Sequence, residues 1–174
     1  MKQYGIVIVC LSALMFFTPG CVSEPGIDKA KFSELNRTAR ELQTSATSGK
    51  PCGLSDTLLQ RFSSAAAALN DKTASKAERD LVKAYANLLT TYQDGLLLCS
   101  SRTHLAQFKF VPKGRIYVFQ ELDPLVLKYD LSTESHVYQP TGLHWRSIDE
   151  GSIRVVWESA EFQLKIIENT VNYN

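Results

Sequence analysis

A long amphipathic helix, predicted from Ser75 to about Ser101, constrains the fold of this 174-residue chain more than any other feature. Ser75 and Glu78 form a capping-box pattern, in which each side chain satisfies a free amide of the first helical turn. Apolar residues then recur every three or four positions for about seven turns, or roughly 40 Å at 1.5 Å per residue. They are Leu81, Val82, Tyr85, Leu88, Leu89, Tyr92, Leu96 and Cys99. Such an apolar face must be covered by other elements.

Two shorter upstream segments have the periodicity to cover it. A helix is predicted from 28 to 47, with a thin seam that includes Ala39 and Ala46, and another from 55 to 70. The turn from Asn70 to Thr73 is so short that the second and third helices are expected to be antiparallel. Three such helices can cover one another. The alternative is a partner helix that docks on the thin seam of the first helix.

This predicted helical hairpin brings two cysteines to a similar level. Cys52 lies up to about 32 Å back from the turn, and Cys99 lies about 37 Å along the long helix. In an oxidising compartment such a pair is expected to form a disulfide, which would contribute roughly 4 kcal/mol. Two buried thiols are the alternative, since Cys99 belongs to the apolar stripe. No metal site is predicted, because neither Cys-x-x-Cys nor His-x-x-x-His spacing occurs.

After residue 104 the hydrophobic period changes from 3.6 to 2, which predicts strands. The terminal pair is predicted as a hairpin that sets Ile153, Val155 and Trp157 opposite Ile166, Leu164 and Phe162. The predicted fold is therefore α+β, with about three antiparallel helices packed on an antiparallel sheet of six to seven strands. A helical region of 28–104 and a β region of 105–174 are expected to form one compact domain.

The first 20 residues have the layout of a secretory leader. One charge, Lys2, precedes an apolar run from Ile6 to Phe17, which is short for a membrane span of about 20 residues. Thr18-Pro19-Gly20-Cys21 resembles the lipobox of bacterial lipoproteins. The resemblance implies that Cys21 becomes the acylated first residue and that 21–27 is a tether. Cleavage without lipid and an uncleaved anchor are the alternatives.

The residue after Cys21 and the net charge narrow the expected location and partners. Val22 stands where many inner-membrane lipoproteins carry Asp, so the resemblance implies an outer-membrane protein that faces the periplasm. Without Lys2, the chain has 18 basic and 18 acidic side chains, and this balance excludes the basic footprint of a nucleic-acid-binding protein.

Residues 114–119 and 126–131 resemble two strands of a kelch-type propeller blade. No second copy of this pattern occurs in the chain. One blade cannot close a propeller, so the resemblance implies a local meander and no function.

Motifs for catalysis are absent from the sequence. The three histidines stand outside nucleophile, metal and phosphate-loop patterns. They are His104, His136 and His144. Four carboxylates could pair in space, as in glycoside hydrolysis, although solvated turn charges are the simpler interpretation. These are Asp149, Glu150, Glu158 and Glu161. Neither a catalytic residue nor a cofactor is predicted.

The candidate binding residues are Tyr138, His144 and Trp145, which flank the turn from Pro140 to Gly142 and could offer a stacking surface for a sugar or a peptide. Core packing is the competing interpretation for Trp145. Strict alternation directs Tyr138 and His144 away from a predicted core. That core would consist of Val137, Leu143 and Trp145.

The sequence therefore favours a non-enzymatic envelope lipoprotein that binds another envelope protein or assists an assembly. The alternative is an enzyme or binder that acts on cell-wall glycan or peptide. Carboxylates gathered in one apolar pocket would favour the alternative, whereas a polar surface without a pocket would favour the first function.

Overall fold

The computed structural model describes residues 26–48, 56–105 and 111–173, with the side chains of 103–105 excepted. Within these ranges the chain forms five helices, one 3-10 turn and three strands. The elements are α1 (Lys29–Thr47), α2 (Asp56–Asn70), α3 (Lys76–Leu105), β1 (Arg115–Val118), a 3-10 turn (Gln120–Leu122), α4 (Asp123–Lys128), β2 (Thr133–Tyr138), β3 (Leu143–Asp149) and α5 (Ser152–Tyr173). The α+β class and the three N-terminal helices are confirmed. The predicted number of strands is wrong.

Helix α3 organises the core, as its periodicity predicts. Tyr85 and Tyr92 on its buried face are completely inaccessible to solvent. Phe32 of α1 stacks on the Tyr85 ring at a centroid distance of 6.2 Å, and Phe62 of α2 meets the same ring edge-on at 6.0 Å. One aromatic side chain thus joins the three N-terminal helices, and such ring pairs stabilise a core beyond their buried area.

The helix seam suggested as a docking site on α1 is covered by the chain itself. Ala39 is fully buried and Ala46 is 6% exposed. Helix α1 packs against both α2 and α5, and small side chains at these two positions allow close approach. The alternative of a partner helix on this seam is therefore wrong.

The predicted C-terminal hairpin is instead the 22-residue helix α5. Its buried residues follow helical spacing, and they pack against α3 and α1. They are Ile153, Val156, Trp157, Ala160, Leu164, Ile167 and Val171. Gly95 permits this packing, because a Cβ atom built there would lie only 2.1 Å from the Trp157 ring.

A second predicted strand, residues 125–131, is also helical. Pro124 occupies the first turn of α4, where its missing amide hydrogen has no helical partner to lose. Leu125 and Val126 are buried, whereas Leu127 is 83% exposed. Asp130 then adopts a left-handed φ of 49° and ends the segment. The second strand of the blade-like pattern is therefore absent.

The three strands form one antiparallel sheet in the order β1-β3-β2. Ile116 on β1 pairs with Ile148 on β3, and both are fully buried. Residues of the opposite parity form the outer face, where Tyr117 pairs with Ser147. The sheet thus turns one face towards the helices, and the outer face is the one opposite the helices.

A buried carboxylate fastens the start of α1 to the start of α3. The Glu78 side chain is 2% exposed and accepts hydrogen bonds from the backbone amides of Ala74, at 2.8 Å, and Asp28, at 3.2 Å. Lys31 Nζ lies 3.1 Å from Glu78 Oε1. The predicted Ser75 cap is confirmed, since Ser75 Oγ accepts from the Glu78 amide at 3.1 Å. The carboxylate, however, binds Ala74 rather than Ser75, and it joins two helices instead of capping one.

The predicted Cys52–Cys99 disulfide remains a prediction. Cys99 is 2% exposed on α3, whereas Cys52 lies outside the described residues, as does Cys21. We expect neither Cys52 nor Cys99 to react with an alkylating reagent in denatured, unreduced mature protein, and both to react after reduction. Mass spectrometry of the alkylated peptides measures this directly, and alkylation of both without reductant would contradict the bridge.

Candidate functional site

The hairpin of β2 and β3 carries the residues that the sequence suggests for binding. A four-residue loop, 139–142, joins the two strands, and Tyr138 pairs with Leu143. The amide of Gly142 donates to the Tyr138 carbonyl at 2.8 Å. Gly142 has a φ of 70°, a left-handed conformation that glycine adopts without strain.

Because the loop has four residues, the side chains do not lie on the faces that strict alternation through the turn would give them. Tyr138, Leu143 and Trp145 lie on the outer face, whereas Val137 and His144 lie opposite each other on the other face. The predicted core of Val137 and Leu143 is wrong, because these side chains are 45% and 59% exposed. Tyr138 is 37% exposed and His144 is also exposed.

The end of the hairpin therefore presents apolar side chains on both of its faces. It extends beyond β1, whose last residue, Val118, pairs with Arg146. We call residues 137–144 the hairpin tip. Exposed large apolar side chains that cluster in this way mark interaction sites more often than do scattered ones.

Trp145 is buried, but not in the helical core. It is 7% exposed, and its ring stacks on His136 at 4.1 Å and on Tyr117 at 5.5 Å. These rings lie on the outer face of the sheet. The interpretation of Trp145 as a packed residue is confirmed, and its packing supports the base of the hairpin.

A polar network lies next to this aromatic cluster. Ser147 is fully buried, and its Oγ lies 2.8 Å from His136 Nε2 and accepts from Arg115 Nε at 3.0 Å. Arg115 also forms an ion pair with Glu134 at 2.6 Å. A serine–histidine pair at this distance resembles a nucleophile and its base. The buried hydroxyl, however, offers no room for a substrate, so the network is structural.

The four carboxylates noted in the sequence come together in a cleft of about 640 Å³. Ala46 at the end of α1 and Ile153 and Trp157 on α5 provide apolar lining. The acidic lining consists of Asp149, Glu150, Glu158 and Glu161. We call this the acidic cleft. The structure therefore places carboxylates in one partly apolar pocket, which is the arrangement expected of the alternative function.

Each of these carboxylates has a basic partner. The bonding atoms of Glu158 and Arg154 are 3.2 Å apart, those of Glu161 and Lys165 are 2.6 Å apart, and Asp149 lies 3.9 Å from Arg115. Glu150 pairs with Arg102. The four carboxylates of the acidic cleft are thus ion-paired within the protein, and a ligand would have to share them with these basic side chains.

One buried polar atom in the cleft lining has no hydrogen-bond partner. Trp157 is 5% exposed, and its indole Nε1 donates to no acceptor in the part of the chain that the structure describes. Over the same residues, no group of three or more potential metal ligands is found, nor any helix long and apolar enough to cross a membrane.

Comparison with known proteins identifies no relative. No protein family, curated protein or solved structure matches this chain. The hairpin tip and the acidic cleft are therefore the features of this chain that bear on its function.

Proposed function

We propose that this chain is a non-enzymatic, lipid-anchored protein of the cell envelope that binds another envelope protein through the hairpin tip. The single observation that carries this proposal is the exposure of three apolar side chains at the end of one hairpin. They are Val137, Tyr138 and Leu143. A protein partner that desolvates them would gain roughly 25 cal/mol for each Å² of apolar surface that it covers.

The packing of the side chains at the base of the hairpin also favours a role of the hairpin tip in binding. Trp145 is held between His136 and Tyr117, and Ser147 is held by two side chains. Because the base is fixed by these contacts, binding at the tip would need little ordering of the strands. A pre-organised surface binds more tightly for the same contacts.

The chain enters α1 at one end of the helical bundle, beside the end of α5. Asp28 caps α1 and Lys29 Nζ donates to the Asn172 carbonyl at 3.1 Å, so the tether leaves beside the end of α5. Asp28 lies seven positions after Cys21, a reach of at most about 25 Å. The acidic cleft lies at the other end of α1, about 28 Å away along the helix. An anchored molecule would thus hold the cleft away from its own attachment point.

We expect Tyr138→Ala and His144→Ala each to weaken capture of the envelope partner about fivefold, because exposed side chains at a contact contribute about 1 kcal/mol when a partner covers them. The melting temperature should change little. Affinity capture from detergent-solubilised envelopes, normalised to the amount of bait, measures the effect.

Trp145→Ala is the matched control for these substitutions. It removes the packed ring beneath the tip and should lower the melting temperature markedly. Unchanged capture by both the Tyr138 and His144 variants would exclude the hairpin tip as the contact site. A large loss of stability in either variant would show that its side chain is structural.

We expect Cys21→Ser to abolish lipid incorporation and to release the protein into the soluble periplasmic fraction. Residues 22–27 contain no apolar run that could hold the chain on a bilayer by itself. Metabolic labelling with a fatty acid and fractionation of the envelope measure both effects. Retention of the variant in the membrane at the level of the original protein would contradict the lipid anchor.

The acidic cleft supports a second candidate function, the binding of a peptide or glycan fragment of the cell wall. An amine-bearing ligand would find carboxylates at Glu158 and Glu161 beside the apolar lining of Ile153 and Trp157. A Glu158→Gln, Glu161→Gln double variant should then lose binding of a soluble muropeptide, measured by calorimetry. The same variant should capture the envelope partner normally, which separates the two functions.

A further inference from the structure

Helix α5 has a second apolar stripe on the side opposite the bundle. Four large side chains on this side are 42% to 88% exposed, and at 100° per residue they lie within about 40° of one another around the helix. They are Val155, Phe162, Ile166 and Tyr173. The buried side of α5 is already filled by its packing on α1 and α3. Much of the exposed side is therefore left uncovered by the residues that the structure describes.

The spacing along this stripe alternates between four and three residues. The complete series is Val155, Ser159, Phe162, Ile166, Asn169 and Tyr173. This is the spacing of the a and d positions at which two α-helices pack side by side. A helix that lies on a membrane has a broad apolar face with basic flanks, whereas this stripe is narrow and is flanked by Glu158 as well as Lys165. The stripe is therefore suited to another helix.

We propose that this helix is α5 of a second copy of the chain, packed antiparallel across a twofold axis near Leu164. A twofold interface must be complementary to itself, and the order of residues along the stripe meets this condition. Val155 would face Tyr173 of the second copy, and Phe162 would face Ile166. Each apolar layer then combines a larger side chain with a smaller one.

The two polar positions fit the same arrangement. Ser159 would face Asn169 of the second copy, so that a hydroxyl meets an amide on either side of the axis. Polar layers of this kind cost stability but fix the register and direction of paired helices. A parallel pair would instead set Phe162 against Phe162 and Val155 against Val155, which gives layers of unequal size. Antiparallel helix dipoles also favour the proposed direction.

The available area is sufficient for a specific dimer. With roughly 150 to 200 Å² for each fully open side chain, the exposed parts of the four apolar residues amount to roughly 400 to 500 Å² per copy. Two copies bring roughly 900 Å² of apolar surface together, and the flanking polar residues raise the total above the roughly 1,000 Å² that specific interfaces exceed. A patch of this size is also at the upper end of what monomers expose.

Disulfide cross-linking of the full chain in its own membrane tests the proposal. One copy carries Phe162→Cys and one epitope tag, and a co-expressed copy carries Ile166→Cys and a second tag. We expect mild oxidation to give a mixed 162–166 dimer in clear excess over 162–162 and 166–166 dimers. The chain without either added cysteine controls for its native thiols.

A charge in the stripe should remove this cross-link. Val155→Glu, introduced into both tagged copies, places an unpaired carboxylate against Tyr173 and should reduce the mixed dimer at least about tenfold. Leu127→Glu on α4 is the matched control, since it puts the same charge on an exposed apolar residue outside both the stripe and the hairpin tip. It should leave the dimer unchanged. Thermal melting of both variants confirms that they fold.

Two results would overturn the proposal. The first is a dimer dominated by 162–162 linkage, which would mean another orientation. The second is absence of a dimer, and the reactivity of the cysteine at 162 with a water-soluble maleimide then identifies the cause. Protection that ends when detergent dissolves the membrane would assign the stripe to the lipid surface, and full reactivity throughout would show an open face.

Discussion

Gly95→Ala should destabilise the protein by about 2 to 4 kcal/mol, although alanine is the better helix former. A Cβ atom at this position would lie 2.1 Å from Trp157 Cη2 and 2.2 Å from Cζ3, well inside contact distance. The Trp157 ring is 5% exposed and lies 6.3 Å from the ring of Tyr92, so it has little room to move. Helices α3 and α5 would have to separate. Chemical denaturation measures the loss as a lower free energy of unfolding.

A double-mutant cycle identifies the cause of this loss. On a Trp157→Leu background the obstructing ring is absent, so Gly95→Ala should become neutral or stabilise by up to about 1 kcal/mol through helix propensity. An equal loss on both backgrounds would show that the contact between Gly95 and Trp157 is not responsible.

Glu78→Gln should lower the free energy of unfolding by about 2 to 3 kcal/mol at neutral pH. Hydrogen bonds from the Ala74 amide, the Lys31 ammonium and the Asp28 amide outweigh the effect of burial and lower the pKa of Glu78 from 4.5 to about 2. A folded-state pKa below the unfolded value stabilises the protein above the unfolded pKa. The contribution is therefore complete above about pH 5 and is lost as the pH falls through 2.

The difference between the original protein and Glu78→Gln should accordingly shrink between pH 5 and pH 2. Urea denaturation at several pH values measures it. Asp80→Asn is the matched control, because Asp80 pairs with Lys76 at 2.7 Å on the surface, and solvent screening leaves such exposed pairs little effect on stability. A constant difference across this pH range would mean that the ionised carboxylate is not the stabilising form.

The sequence predicted the N-terminal half of the fold because its signals agreed with one another. The capping residues Ser75 and Glu78, the apolar period and the short turn all indicated the same helical hairpin. The prediction for residues 152–173, which form α5, was wrong for a physical reason. Val155, Phe162 and Ile166 are apolar although they face solvent, and together with the buried residues they imitate strand alternation. The helical period of the buried residues was present, but the exposed stripe obscured it.

The candidate site was predicted in part. The exposure of Tyr138 and His144 and the burial of Trp145 agree with the structure. The faces of the strands were wrong, because the parity after a turn depends on the loop length, which the sequence did not reveal. The acidic cleft was not predicted, because its carboxylates come together only when residues 152–173 form a helix. Glu158 and Glu161 lie three residues apart, which places them on neighbouring positions of one helical face.

The buried Glu78 carboxylate also determines how the molecule would respond to mechanical force. A lipid anchor at Cys21 would pull on the chain at Gly26 and would load α1 from its first residue. Ile27 is 6% exposed, and the next residue, Asp28, donates its amide to Glu78. Lys31 reaches the same carboxylate from one turn further along. Unwinding of α1 from this end would therefore require the ion pair and the apolar contact of Ile27 to break together.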